Sequence, residues 1–312
     1  MILKSKPNAW NEKRKAVSND GYNIKKMPMI SIVTPSFNQA TFILEALQSI
    51  QSQDYSSYEH LIIDGLSTDG TVGLLEDLSN TSQDSRVHWL SEKDKGQSEA
   101  LNKGFRLAKG DIIGWLNSDD RYLPGCFAHI VRAFEQNPTV DIIYGDYRVV
   151  DESGSVIRIK REIDFSKFIL LYHRVLYIPT TATFFRSRIF REDNWLEESL
   201  QYAMDLDFFI RLAAKGYQFK HISEVLADFR LQPYSKTCSA PEKQRLEHQQ
   251  IVYSAVPMLR DIESPSLRGL TLFLLRFMAA IKRSLEKMLR GYYWDQSSFR
   301  DPSLPLSHRR QL

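Results

Sequence analysis

The stretch Leu116-Asn117-Ser118-Asp119-Asp120 ends the apolar run Asp111-Ile112-Ile113-Gly114-Trp115. Two adjacent carboxylates just beyond a buried strand are placed to hold a divalent cation against a diphosphate. Magnesium and manganese prefer hard oxygen ligands and take only one or two from protein, the rest coming from phosphate and water. The same pair also occurs at plain turns, so its meaning depends on what stands beside it. Three more polar clusters follow apolar runs in the same way: Pro35-Ser36-Phe37-Asn38, then Asp64, then Ser91-Glu92-Lys93-Asp94-Lys95. The sequence has no Walker phosphate loop and no Gly-x-Gly-x-x-Gly, which weighs against P-loop and dinucleotide chemistry.

The elements that must position these clusters are legible in the hydrophobic spacing. Residues 29–35 form a short apolar run closed by proline, and 58–64, 86–91 and 111–116 read as further strands. Between them, 40–51 has helical spacing in Ile43, Leu44, Leu47 and Ile50, and 71–78 and 98–108 also read as helices. Strand–helix alternation over 29–120 predicts a parallel sheet with helices on both faces, whose ligands bind at the carboxyl ends of the strands. All four polar clusters fall at those ends. From residue 141 the pattern is mixed: 141–146, 155–160 and 181–185 read as strands, and 205–215 as a helix with Phe208, Phe209 and Leu212 on one face. No linker is evident before about residue 232.

A chain of 312 residues with 43% apolar and 25% charged residues is an ordinary globular composition. Cys126 and Cys238 show neither metal spacing nor a disulfide framework, and residues 1–28 are polar and lysine-rich without an apolar signal core. Both point to a reducing, cytoplasmic setting. The net charge of +3 is uneven: 1–26 carries +5, 268–290 carries +5 and 291–312 carries +1, which leaves −8 on 27–267. An acidic body with basic arms is a poor match for nucleic acid, so no nucleic-acid partner is expected.

Five ordered segments resemble the family 2 glycosyltransferases: 32–38 (IVTPSFN), 64–71 (DGLSTDGT), 95–104 (KGQSEALNKG), 116–120 (LNSDD) and 204–207 (MDLD). The resemblance covers roughly residues 29–231. It implies an α/β, GT-A type nucleotide-diphospho-sugar transferase fold, a mixed sheet flanked by helices, with a helical extension over 232–312. It also implies inverting transfer of a sugar from a nucleotide-sugar donor, assisted by Mn2+ or Mg2+, to a glycan or lipid-linked saccharide acceptor in surface polysaccharide biosynthesis. By that resemblance Pro35, Phe37 and Asn38 lie beside the nucleobase, and Asp64 accepts from the base or ribose. Lys95, Gly96 and Gln97 open a helix whose amides face the diphosphate. Asp119 is the metal ligand, Asp120 supports the ribose or the same metal, and Asn117 stands where relatives often carry an acid. Asp205 aligns with the catalytic base; read without the family, it is a helix cap.

The pattern also departs from the family. Relatives often place a metal-reaching histidine after a Phe-Arg pair, whereas Phe229-Arg230-Leu231 here leads to Gln232, with Ser235 and Lys236 as other polar candidates nearby. Two rival readings stay open: a nucleotidyltransferase of related fold, although the glycine-rich basic loop is missing, and a catalytically silent sugar-nucleotide-binding or scaffold subunit. Acceptor specificity is expected in 146–200, including Tyr172, His173 and Trp195.

Residues 269–290 read as an amphipathic helix. Leu270, Leu274, Phe277, Ile281, Leu285 and Met288 form one series, and Arg276, Arg283, Lys287 and Arg290 a second, basic one. Its apolar part is too short to span a bilayer. It either lies on an anionic membrane surface at the inner face of the cell membrane, or packs on the domain or on a second subunit in a homo-oligomer.

Overall fold

The computed structural model describes residues 27–81, 84–173, 175–232 and 240–293. Ser235, Lys236, Cys238 and nearly all of the arm 1–28 lie outside the described residues.

The parallel half forms as its spacing predicts. Strands β1 (Ile30–Ser36) and β2 (Tyr58–Asp64) are buried at every position, because helices cover both faces of a parallel sheet. Strand β3 (Val87–Ser91) pairs with β2, and β4 (Ile112–Trp115) pairs with β1 on its other side, all in parallel. The chain therefore builds outward from β1 to β3 and then crosses back to β4. That reversal opens a crevice at the carboxyl ends of β1 and β4, the usual ligand position in such sheets. Register sets Ser36 opposite Asp64 and Asp64 opposite Ser91, a polar row along one edge.

Helices α1 (Ile43–Gln51) and α2 (Thr71–Thr81) follow β1 and β2, and α3 (Gln97–Leu107) follows β3. Helix α3 lies directly on β1: a Cβ at Gly104 would come within 2.2 Å of Val33 Cγ1. Helix α4 (Cys126–Gln136) was not evident from the sequence. It buries Cys126, Phe127, Ile130, Ala133 and Phe134 against Ile30, Ile32, Tyr122 and Phe184.

Beyond β4 the sheet becomes mixed, in the order β3-β2-β1-β4-β8-β6-β9-β5, with β7 paired to β6. Here β5 is Arg121–Tyr122, β6 Ile142–Val150, β7 Val156–Lys160, β8 Thr183–Arg186 and β9 Phe219–Arg230. The twelve-residue β9 runs parallel to β6 with register shifts at Gly145/Asp146 and Asp146/Tyr147. Those shifts break its alternation into pieces too short to read as one strand. Its last residue, Arg230, is delivered to the crevice. Short helices α5 (Lys167–Tyr172) and α6 (Arg188–Arg191) and the longer α7 (Met204–Ala214) complete this half. Phe185, Phe190, Phe208 and Phe209 pack with Trp115 and Phe105 into the larger core.

Helices α8 (Pro241–Ala255), α9 (Pro257–Arg260) and α10 (Pro265–Leu289) follow. Val252, Leu259, Leu272 and Ala279 gather around Tyr172, which anchors these helices and is therefore buried rather than open to an acceptor. The basic series of α10 faces inward. Arg283 binds Glu162 at 2.6 Å, Lys287 the same carboxylate at 3.6 Å, and Arg290 binds Asp164 at 2.5 Å. The apolar series faces out: Leu270, Leu274, Phe277, Ile281, Leu285 and Met288 are all exposed, as is Leu289. At 100° per residue these positions make one continuous uncharged stripe. Electrostatic attraction of this helix to an anionic surface thus loses three of the four cations of its basic series. No described helix is long and apolar enough to cross a membrane.

Candidate active site

The crevice between β1 and β4 gathers the acidic motif. Ser118 Oγ donates to the Pro35 carbonyl at 2.7 Å and ties the two strand exits together. Asn117 is a bracket: its Oδ1 accepts from Gln97 Nε2 and from Trp115 Nε1, both at 2.9 Å, and its Nδ2 donates to Asp120 Oδ2 at 3.3 Å. Asp120 is buried, and its Oδ1 accepts the Arg230 amide at 2.9 Å. Asp119 is partly open, with Oδ2 accepting from Gln232 Nε2 at 2.6 Å. Burial pushes the carboxyls of both aspartates above their ordinary range, and the neighbouring Asp119 charge drives Asp120 further up. The buried Arg230 guanidinium beside them goes to the Asp119 carbonyl at 2.9 Å, the Glu152 carbonyl at 2.6 Å and Glu45 Oε2 at 2.5 Å.

Along the β1–β2 exit the residues sort into surface and support. Phe37 is 60% exposed and stands at the rim. Asn38 has a left-handed backbone (φ 53°), and its Oδ1 accepts the Thr68 amide at 2.9 Å, so its carboxamide is spent on the 65–70 turn. Asp64 is fully buried, with Oδ2 taking the Ser67 amide at 3.0 Å and Ser91 Oγ at 2.7 Å. Its Oδ1 takes Ser67 Oγ at 2.5 Å. Asp69 holds the Ala40 amide at 2.9 Å and the Thr71 amide at 3.0 Å, the turn-ordering role its setting predicts.

Asp94, within the polar cluster after β3, closes on the β2 exit. A Cβ at Gly65 would lie 2.7 Å from its Oδ2, so a larger residue there would push the carboxylate aside. Burial raises its carboxyl, and its Oδ1 accepts the Gly96 amide at 2.9 Å. Gly96 has φ 137°, a conformation that favours glycine, and opens α3 with no side-chain cap. The Lys95 amide donates to Glu99 at 2.9 Å, while Asn102 turns inward to bracket Leu196 at 2.9 and 3.0 Å.

Asp205 is the second residue of α7, and its Oδ1 accepts the Leu206 amide at 2.8 Å. The start of α7 meets the start of α3: a Cβ on Gly96 would lie 3.0 Å from Gln201 Oε1. The structure thus joins Gln97, Asn117 and Asp120 by side-chain hydrogen bonds, with Asp119 next to Asp120 in the chain and tied to Gln232, and brings the segment ahead of Asp205 to their helix. Arg230 and Gln232 complete the floor. His221 belongs elsewhere, buried against Asp146 at 2.8 Å. Among the described residues no three His, Cys, Asp or Glu side chains cluster to hold a metal.

Comparison with known proteins agrees with this geometry. The chain is 26% identical to a chondroitin synthase of Escherichia coli over 79% of its own length and 35% of that protein. It is 27% identical to a hyaluronan synthase of Pasteurella multocida over 68% of its length and 21% of that protein. It therefore spans about a third of the first relative's length and a fifth of the second's. Among solved structures it superposes on S. aureus TarS in complex with UDP-GlcNAc with a TM-score of 0.60 and 16% identity, covering 91% of this chain and 78% of that one. It superposes on the mannosyltransferase PcManGT from Pyrobaculum calidifontis, in complex with GDP-Man and Mn2+, with a TM-score of 0.59 and 18% identity, covering 86% and 76%. These likenesses show the GT-A fold. The pattern of glycosyl transferase family 2 matches residues 31–196, more than half of the chain, and the protein belongs to that family.

Proposed function

We propose that this glycosyltransferase moves a sugar, with inversion, from a nucleotide-diphospho-sugar to a hydroxyl of a glycan or lipid-linked acceptor in surface polysaccharide biosynthesis. The observation that carries the reading is the hydrogen-bonded set Gln97, Asn117 and Asp120 at the β1–β4 crevice, with Asp119 adjoining it and the segment ahead of α7 beside it. Phe37 and the exposed main chain after Pro35 meet the base, with Asn38 and Asp64 shaping that wall from behind. Lys95, Gly96 and Gln97 present the positive end of α3 to the diphosphate. Residues 29–231 form the transferase domain and 232–312 its extension.

The donor set fits a magnesium or manganese ion. Among the described residues the Asp119 carboxylate is tied to a side chain only through Oδ2, by Gln232, and two carboxyls raised by burial mark a place where positive charge is wanted. Asp119 would hold the ion, with Asp120 behind it and phosphate and water as the other ligands. Bound there, a divalent ion offsets charge growing on the departing nucleoside diphosphate. Asp205 takes the proton from the acceptor hydroxyl as its oxygen attacks the anomeric carbon on the face opposite the leaving group. Asp205→Asn is expected to keep donor-induced thermal stabilisation and lose transfer; full turnover in that variant refutes the role. Release of nucleoside diphosphate by the wild-type chain separates this reading from a silent sugar-nucleotide-binding subunit.

The outward stripe of α10 favours a second element of the reading. With Arg283, Lys287 and Arg290 paired inward, the helix suits contact with lipid acyl chains at the membrane surface rather than with anionic headgroups.

A further inference from the structure

Helix α7 begins at Met204, and its N-cap, Ala203, makes no side-chain cap. The amides leading into the helix are held instead by the C-terminal helices. Glu247 on α8 takes the Gln201 amide on Oε1 at 3.1 Å, and the Tyr202 and Ala203 amides on Oε2 at 2.8 and 3.0 Å. Three consecutive main-chain donors converge on one carboxylate that lies 44 residues beyond Ala203. The same three-residue segment touches the opposite wall, where the Gln201 carboxamide packs on Gly96 at the start of α3. Asp205 follows two residues later.

We propose that Glu247 is a positioning residue for sugar transfer: it fixes residues 201–203 between α8 and the diphosphate helix, and so fixes the direction of Asp205. The C-terminal helices are then part of the active centre. The proposal rests on reading Asp205 as the base. The physical reason is that a base must meet the acceptor proton within hydrogen-bond reach, and a misplacement of about 1 Å can cost on the order of a hundredfold in rate. A carboxylate receiving three amides is also favoured by the positive end of the helix it caps. Donor-binding residues on β1, β2 and β4 lie outside this clamp, which meets the donor site only where Gln201 packs on Gly96, so its loss should slow turnover far more than it weakens the donor.

The test uses the full chain and four variants: Glu247→Ala, Glu247→Asp, Glu247→Gln, and Glu242→Ala on the exposed side of the same helix. Hydrogen exchange of amides 201–203 and of the first turn of α7 is expected to quicken at least tenfold in E247A. E247D should recover part of the protection, and E242A should match wild type. Unchanged exchange in E247A overturns the clamp. Release of nucleoside diphosphate from UDP-N-acetylglucosamine and GDP-mannose with Mn2+ gives the kinetic arm. There kcat should fall about tenfold in E247A with donor KM within twofold, and recover in part in E247D. Equal kcat, or a rise in KM that matches the loss, overturns the positioning role. If E247A does not fold, E247Q, which keeps one acceptor oxygen, gives the same two readings. Asp205→Asn in the same assay isolates the underlying reading: full turnover there removes the base while leaving the exchange result standing.

Discussion

The side-chain amide of Gln232 donates to Oδ2 of Asp119 at 2.6 Å, where relatives often carry a histidine able to reach the metal. An amide N–H orients the carboxylate but does not ligate a cation, since the nitrogen lone pair is delocalised into the carbonyl. The proposed metal site is correspondingly lean. Gln232→His should therefore tighten Mn2+ on the order of tenfold, about 1.4 kcal/mol, with a smaller gain for Mg2+, which favours oxygen. The measurement is the metal concentration giving half-maximal thermal stabilisation in the presence of a nucleoside diphosphate. Asp119→Asn should abolish that stabilisation. An unchanged Mn2+ midpoint in Gln232→His would show that position 232 does not face the ion.

Arg230 holds the same floor from below. It is buried, stacks over Phe42 at 4.8 Å, and serves Glu45 together with the carbonyls of Asp119 and Glu152. Arg230→Met should cost about 2–4 kcal/mol, because buried carbonyls lose their donors and Glu45 loses its partner. The exposed side of Glu45 keeps the cost below that of a fully buried pair. Arg230→Lys should recover little, since one ammonium cannot reproduce the planar fork that reaches three acceptors. Urea unfolding decides, and a lysine variant of wild-type stability would contradict the argument.

How much of this was legible follows from the range of each signal. Buried parallel strands announce themselves as continuous apolar runs, so β1 to β4 and their polar ends could be read, and with them Asp64, Asn117, Asp119 and Asp120. Strand β9 could be read only around His221, because its register shifts beside Gly145 break the alternation on which strand recognition depends. Arg230 and Glu247 were hidden for a different reason. Their partners lie 111 and 44 residues away, and nothing in local spacing encodes such pairings. The amphipathic period of α10 was correct, but periodicity gives two faces without saying which one meets the protein. Acids at 162 and 164 settled that by drawing the basic face inward.

Stability should fall in mild acid through buried neutral histidines. His60 is fully buried against Thr34 Oγ1 at 2.8 Å, and burial lowers its pKa to about 3. Burial likewise lowers His248 to about 4. Both folded values lie below the unfolded value of about 6.5, so the unfolded chain binds the extra proton. Their stabilisation is complete above that value and is lost as pH falls toward the folded pKa values. Each should remove roughly 1 kcal/mol between pH 6.5 and 5.5. Denaturant unfolding at those two pH values measures the slope, and His60→Gln should reduce the loss over that interval by roughly 1 kcal/mol. An unchanged slope in that variant would mean His60 takes up its proton equally in the folded and unfolded states.

The outward stripe of α10 makes a prediction that separates apolar from electrostatic attachment. Helix positions Leu270, Leu274, Phe277 and Ile281 are exposed, and the cations Arg283, Lys287 and Arg290 are engaged with Glu162 and Asp164. Surface binding driven by screened charge weakens sharply between 0.15 and 0.5 M salt, where the Debye length shrinks from about 8 Å toward that at molar salt, about 3 Å. Insertion of apolar side chains does not weaken. The chain should thus co-sediment with neutral phosphatidylcholine vesicles nearly as well as with vesicles containing anionic lipid, and hold at high salt. Replacing Leu274, Phe277 and Ile281 together by glutamate should leave the protein in the supernatant with its unfolding midpoint within a few degrees of wild type. Binding that required anionic lipid and vanished at high salt would return the role to charge. A chain that ignored both vesicles but dimerised, and became monomeric in the triple variant, would assign the stripe to a second copy instead.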